Sequence, residues 1–209
     1  MKIRVRRVGF DDFDMELFHL CRLFFDAADV RFGDGAFADE APDLDVLVEL
    51  AANPGAGTVR AAAAVRECAA QAADADGGAR PETPAGGRPW TAEVERPAGR
   101  EGEEARRARK RAAGAALLKA LERATGVAQP WGILTGVRPT KLMHGLLQEH
   151  GEAEALRILQ DEYFVTEAKA RLLAEVAQRQ LRVIPDLSVL NGKEVSIYIG
   201  IPFCPTKCA

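Results

Sequence analysis

Aromatic side chains are scarce here, at 6% of 209 residues, so any core has to be assembled mainly from Leu, Val, Ile and Ala. Long apolar runs are missing as well: the longest strongly apolar stretch, Val195 to Phe203, is far too short to cross a bilayer. The first twenty residues, MKIRVRRVGFDDFDMELFHL, place charges where an export signal needs its apolar segment. Neither sign of charge dominates, because 28 Lys and Arg stand against 31 Asp and Glu, a net charge of −3. That balance removes the broad electrostatic case for a nucleic-acid partner. Four cysteines are too few and too unevenly spread for a secreted disulfide scaffold. A clustered set of metal-binding histidines, a phosphate-binding glycine loop and a serine-triad motif are also lacking. With 47% hydrophobic and 28% charged residues, wholesale disorder is excluded too. The expectation is a soluble, cytoplasmic protein with no membrane segment.

The apolar pattern changes period along the chain. In Lys2 to Val8, Ile3 and Val5 alternate with basic residues, as in a strand with one buried face. Phe13, Leu17, Leu20, Phe24 and Ala28 then fall at helical spacing, with His19 and Cys21 beside the stripe. The RFGDG segment reads as a turn. Leu44, Val46, Val48 and Leu50 alternate as a second strand, and Asn53-Pro54-Gly55 turns the chain toward a hairpin partner over Thr58 to Arg66. That partner carries four consecutive alanines, Ala61 to Ala64, which are poor strand formers. Residues 69–102 are rich in Ala, Gly and Pro and read as a flexible linker or long loop, with room for a short strand from Trp90 to Val94.

A helix follows from Glu103 to a stop at Gly126. Its opening EEARRARKR reads as a solvated face, with a phosphate-binding patch as the alternative. Beyond it come helices joined by short loops: one from Pro139, a short segment around Leu156 and Leu159, and a longer one after Thr166. Arg138, Lys141 and His144 fall three apart near the start of the first, either solvating that helix or meeting a carboxylate-rich ligand. Asn191-Gly192 turns into VSIYI, where Val195, Ile197 and Ile199 alternate as a strand. Cys204 and Cys208 follow on a proline-restricted loop. Two thiolates so placed can bind one soft metal centre, and Lys207 favours the thiolate form. They cannot close a four-ligand site by themselves. Cys21 and Cys68 read as small buried hydrophobes.

The segment YIGIPFCPTKC, Tyr198 to Cys208, resembles the start of the CxxxCxxC motif of radical S-adenosylmethionine enzymes. IPFC is similar to the oxygen-independent coproporphyrinogen III oxidase branch. WGILTGVRPTK, Trp131 to Lys141, narrows the resemblance to HemZ-type coproporphyrinogen dehydrogenases. The resemblance implies that Cys204 and Cys208 are the first two ligands of a 4Fe-4S cluster, and that Tyr198 lies beside bound S-adenosyl-L-methionine. It implies oxidative decarboxylation of coproporphyrinogen III propionates to vinyl groups, giving protoporphyrinogen IX, with an electron donor as a further partner. In that family the cofactor carries the hard chemistry and the protein positions it.

The motif's third cysteine belongs three positions after Cys208, yet the sequence closes at Ala209. A fragment lacking the catalytic barrel, inactive by itself and with no catalytic residue assigned, is therefore expected. The expected architecture is an α+β N-terminal domain over 1–126, with two to four strands and two helices. A helical connector over 127–190 and the first strand of a radical SAM α/β barrel over 191–209 complete it. Two other functions compete: a haem-binding or haem-delivery protein of the same family, and an RNA-binding N-terminal module using Arg106 to Arg111.

Overall fold

A computed structural model describes residues 1–68, 88–135, 138–183, 197 and 199. The chain begins with β1 (Lys2–Val8), α1 (Asp14–Phe24) and β2 (Asp29–Phe32). β3 (Leu44–Asn53), β4 (Thr58–Glu67), β5 (Trp90–Pro97) and α2 (Glu103–Thr125) complete a mixed α+β unit. The five strands make one sheet in the order β2-β1-β3-β4-β5. β1 runs parallel to both β2 and β3, while β3, β4 and β5 form an antiparallel meander.

Alternation sets the inner face. Ile3, Val5, Val46, Val48, Val59, Val65 and Trp90 are buried, and their strand neighbours Arg4, Arg6, Glu49, Arg60 and Glu93 turn the other way. Leu17, Leu20 and Cys21 from α1 close over the inner face together with Leu117, Leu118 and Leu121 from α2. Each such leucine contributes about 1.5–3 kcal/mol by leaving water. Gly126 ends α2 in the left-handed region, φ 72°, and its N–H donates to the Glu122 carbonyl at 2.8 Å, as a helix-stopping glycine should.

One expectation needs correcting here, the strand count, while the strand allowed for at Trp90 to Val94 and the hairpin partner over Thr58 to Arg66 are both present and longer than expected. The sheet has five strands rather than two to four, because Asp29–Phe32, placed next to a glycine turn, pairs with β1 from Lys2 to Val5. Within the stretch expected to be a linker, Trp90 to Pro97 forms β5, anchored by buried Trp90, Ala92 and Val94; residues 69–87 lie outside the described residues. The alanine run is an inner strand of the sheet. Ala61 and Ala63 are buried in the same core as Ala112, Ala113 and Ala116, and β4 packs on α2, so small residues on both elements allow a close approach. Packing outweighs propensity there.

On the outer face, Asp45 gathers two arginines. Arg4 Nε donates to its Oδ1 at 2.9 Å, and Arg6 donates to Oδ1 at 3.2 Å and to Oδ2 at 2.6 Å. Burial alone would raise this carboxyl, but the hydrogen bonds from Arg4 and Arg6 outweigh it and hold it below the usual range. A depressed folded-state value contributes stability that is complete above the unfolded value of about 3.9 and is lost as pH falls through the folded one. Asp45→Asn is therefore expected to cost about 1 kcal/mol at neutral pH, the part-exposed arginines being screened by solvent. The deficit should shrink as pH falls below the unfolded value; urea melts at pH 7 and pH 3 check it, and equal deficits at both would refute the assignment.

The second unit consists of α3 (Pro139–His150), α4 (Glu152–Asp161) and α5 (Glu167–Val183) around Met143, Ala155, Leu159, Leu173, Ala174 and Ala177. Pro139 occupies the first turn of α3, as expected of a residue with no N–H to leave unpaired. Thr166 directly precedes α5, its carbonyl accepting from the Ala170 N–H at 2.9 Å, and its hydroxyl donates to the Pro130 carbonyl. Leu172 and Val176 of α5 stay exposed. Of the strand expected over 195–199, only Ile197 and Ile199 are described; both are exposed and neither lies in a strand. Among the described residues no helix is long and apolar enough to cross a membrane.

Candidate functional site

The segment Trp131 to Thr135 stitches the two units together. Gly132 takes a left-handed φ of 55° and lies against the backbone of Tyr163 and Phe164. The Ile133 N–H donates to the Tyr163 carbonyl at 2.9 Å, and the Thr166 N–H donates to the Pro130 carbonyl at 3.0 Å. Ile133 and Phe164 pack onto the sheet core, while Trp131 and Leu134 pack onto the helical one. Lys169 covers the Trp131 ring at 5.4 Å.

Beside this segment, α1 and α2 enclose a cleft of about 270 Å³ lined by His19, Leu20, Lys110, Arg111, Ile133 and Tyr163, among others. Its cations are already engaged: Lys110 pairs with Glu16 at 3.2 Å, and Arg111 pairs with Glu162 at 3.4 Å and covers the Tyr163 ring. The cleft falls just below the ordinary range of cofactor pockets.

The other cations considered from sequence are also accounted for. Arg106 meets Asp12 and the Phe13 ring, Arg107 meets Glu103, and Arg109 donates to the Gly9 carbonyl. All five cations of Arg106 to Arg111 thus have partners, so the run is neither a plain solvated face nor a free phosphate patch. Arg138 and Lys141 are exposed at the start of α3. His144 is half-buried instead, its Nε2 enclosed without a hydrogen-bond partner. The three therefore do not share one solvent-facing row. His150 sits at the exposed end of α3 near Glu149, as a helix-terminal residue.

Cys204, Cys208 and Tyr198 lie outside the described residues. The other two thiols can still be judged as metal donors. Cys21 is wholly buried in the sheet core, and burial pushes its thiol up to about 12. Cys68, expected to be buried, is exposed just beyond β4, and its thiol is also raised, chiefly by partial desolvation and then by Asp45. Neither is a ready thiolate. Among the described residues no three His, Cys, Asp or Glu side chains group as metal ligands.

Comparison with known proteins bears on the same question. Over 97 residues the chain is 50% identical to the oxygen-independent coproporphyrinogen-III oxidase-like protein HemZ of Bacillus subtilis (strain 168). Over that stretch the chain is similar to HemZ. The match takes in 44% of this chain and 18% of the length of that HemZ. No family profile matches the chain, and no solved structure does. Sequence reasoning missed a group of cations at the seam, Arg96, Lys119 and Arg123. They come from two elements, and no linear spacing signals them.

Proposed function

We propose that this chain is the N-terminal part of a HemZ-like radical S-adenosylmethionine enzyme of porphyrin biosynthesis. Its parent would convert propionates of coproporphyrinogen III to vinyl groups, giving protoporphyrinogen IX. The observation that carries this reading is the 50% identity over 97 residues to a coproporphyrinogen-III oxidase-like protein, in a chain that carries YIGIPFCPTKC from Tyr198 to Cys208. Cys204 and Cys208 would each hold one iron of a 4Fe-4S cluster, with a further cysteine supplied by sequence after Ala209. Cys204 and Cys208 would thereby hold a group whose chemistry, when bound, would be one-electron reduction of S-adenosyl-L-methionine to start hydrogen removal from the propionate. Tyr198 would lie beside the nucleoside cofactor and fix its position. Lys207, between the two cysteines, favours their thiolate forms. The described body takes no part in bond breaking: the sheet unit and α3 to α5 form the scaffold that leads into the cysteine loop. A porphyrinogen and a low-potential electron donor are the partners of this reading.

The test begins with the coding sequence past the codon for Ala209, where a cysteine three positions after Cys208 is expected. The full-length product, reconstituted anaerobically with iron and sulfide, should show cluster absorbance and convert coproporphyrinogen III to a vinyl-bearing product. Cys204→Ala should abolish both. A stop codon after Ala209, or tight haem binding by the full-length protein with no decarboxylation, would overturn the enzyme reading; the latter would favour haem delivery.

A further inference from the structure

The cleft between α1 and α2 has a floor deeper than the packing of its walls requires. Gly114 lies buried within α2, flanked by Ala113 and Ala115, and lines this floor. A glycine inside a helix weakens it relative to alanine, because it gives up more backbone freedom on folding. Nothing close by demands that loss. A Cβ built at Gly114 would stand 3.5 Å from Leu20 Cδ1 and 3.6 Å from Ile133 Cγ2, which are ordinary contact distances. Its backbone is regular helix, open to any residue but proline. What the glycine does instead is leave a hollow beside Leu20, Ile133 and Leu134.

The walls carry hydrogen-bonding groups that the fold does not use. His19, Thr135 and Tyr163 line the cleft and are half-buried. Among the described residues, neither hydroxyl and neither imidazole nitrogen has a hydrogen-bond partner. His19 meets the Phe18 ring edge-on, 5.5 Å between centroids, and Arg111 covers the Tyr163 ring at 5.8 Å. Both contacts engage the rings and leave the polar atoms free. The charges, by contrast, are closed in pairs, Glu16 with Lys110 and Glu162 with Arg111. A charged ligand would have to open one of these pairs, whereas an uncharged one would not. At about 270 Å³ the cleft has room for one or two fused rings and none for a nucleotide or a tetrapyrrole.

We propose that this cleft binds a small uncharged amphipathic molecule, a ring system the size of a phenol or an indole bearing one hydrogen-bonding group. The ring lies over Gly114 against Leu20 and Ile133, where burial of its apolar face drives binding. Its polar group meets the hydroxyls of Tyr163 and Thr135, and His19 stands at the rim. Leu20 and Gly114 belong to the sheet unit, whereas Thr135 and Tyr163 lie on segments that join it to the helices. Occupancy therefore also tightens the seam. The site involves neither the cysteine loop nor the porphyrinogen reading.

Saturation-transfer NMR and titration calorimetry on the purified chain test it, with phenol and indole as uncharged probes and benzoate and benzylamine as charged ones of similar size. Phenol or indole is expected to bind saturably at one site, and the charged pair about tenfold more weakly or not at all. Gly114→Ala should fold and raise the urea midpoint, yet weaken binding about fivefold as its methyl enters the floor. Tyr163→Phe keeps the ring and its contact with Arg111, and should weaken binding about tenfold through loss of the hydroxyl. Arg60→Gln, on the outer face of the sheet, should leave binding unchanged. The proposal is overturned if neither uncharged probe binds, or if both cleft variants bind as the parent does. Equal binding of a charged probe overturns the uncharged class. A lowered midpoint for Gly114→Ala would show that packing requires the glycine, and the case for an open floor falls with it.

Discussion

Replacing Gly132 with Ala is expected to detach the helical unit from the sheet, with a stability loss of about 3 kcal/mol or more. Two effects combine. The left-handed φ of 55° disfavours any side chain by about 1–2 kcal/mol. A Cβ there would also stand 2.5 Å from the Phe164 carbonyl carbon and 2.6 Å from its oxygen, and closer still to the Tyr163 carbonyl oxygen. These are backbone atoms, so no side-chain rotation relieves the overlap. The Ile133 to Tyr163 hydrogen bond and the seating of Phe164 on the core lie on the same few residues and should be lost with it. Denaturant melts and limited proteolysis between α2 and α3 give the readouts. A midpoint unchanged within experimental error, with no new cleavage, would show that the seam tolerates displacement.

The alanine run on β4 should respond with opposite signs at neighbouring positions. Ala63→Leu places a large side chain between the sheet and the alanine face of α2, where Ala112, Ala113 and Ala116 leave no depth for it. Overpacking of this kind costs about 1–3 kcal/mol, and the close helix–strand approach puts this site at the upper end. Ala62 lies on the outer face, between Glu49 and Glu93 in register. Ala62→Val meets no helix there and improves strand propensity, so its effect should be near zero or stabilising by a few tenths of a kcal/mol. Paired melts decide the matter. Equal losses at the two positions would mean that strand propensity, and not contact with α2, governs this run.

The same alanines mark where sequence reading ran out. Strong alternation made β1 and β3 legible, and the glycine stop and the period of Leu117, Leu118 and Leu121 did the same for α2. β2 was missed because its four residues bury only Val30 deeply, too short a stretch for alternation to show. β4 reads as weak because propensity scales judge a residue alone, whereas its alanines share a core with those of a helix about fifty residues later. The length of β5 was hidden by the Ala, Gly and Pro around it, although Trp90, Ala92 and Val94 alternate cleanly. Of the candidate site, the cysteine pair and its tyrosine were legible as a motif, because ligand spacing is a local property of the chain. The cation group around Phe164 was not, since Arg96, Lys119 and Phe164 meet only once β5, α2 and the turn before α5 have docked.

The placement of β1 has a consequence for how the polypeptide reaches this state. Of the five strands it is the first to be synthesised, yet it lies inside the sheet, hydrogen-bonded on one side to β2 and on the other to β3. Its pairing with β3, from Ile3–Leu44 to Val8–Glu49, joins residues about forty positions apart, whereas the β3–β4 hairpin closes across the tight turn at Asn53 to Gly57. Loop-closure entropy therefore favours the meander as the earliest ordered element, with β1 recruited afterwards as a staple between two strands it preceded. During translation the amino-terminal segment must wait for β3 to emerge, leaving Ile3 and Val5 uncovered in the interval. Chaperone dependence of the nascent chain should consequently be greatest before residue 53 clears the ribosome, and should fall once that strand can zip onto it.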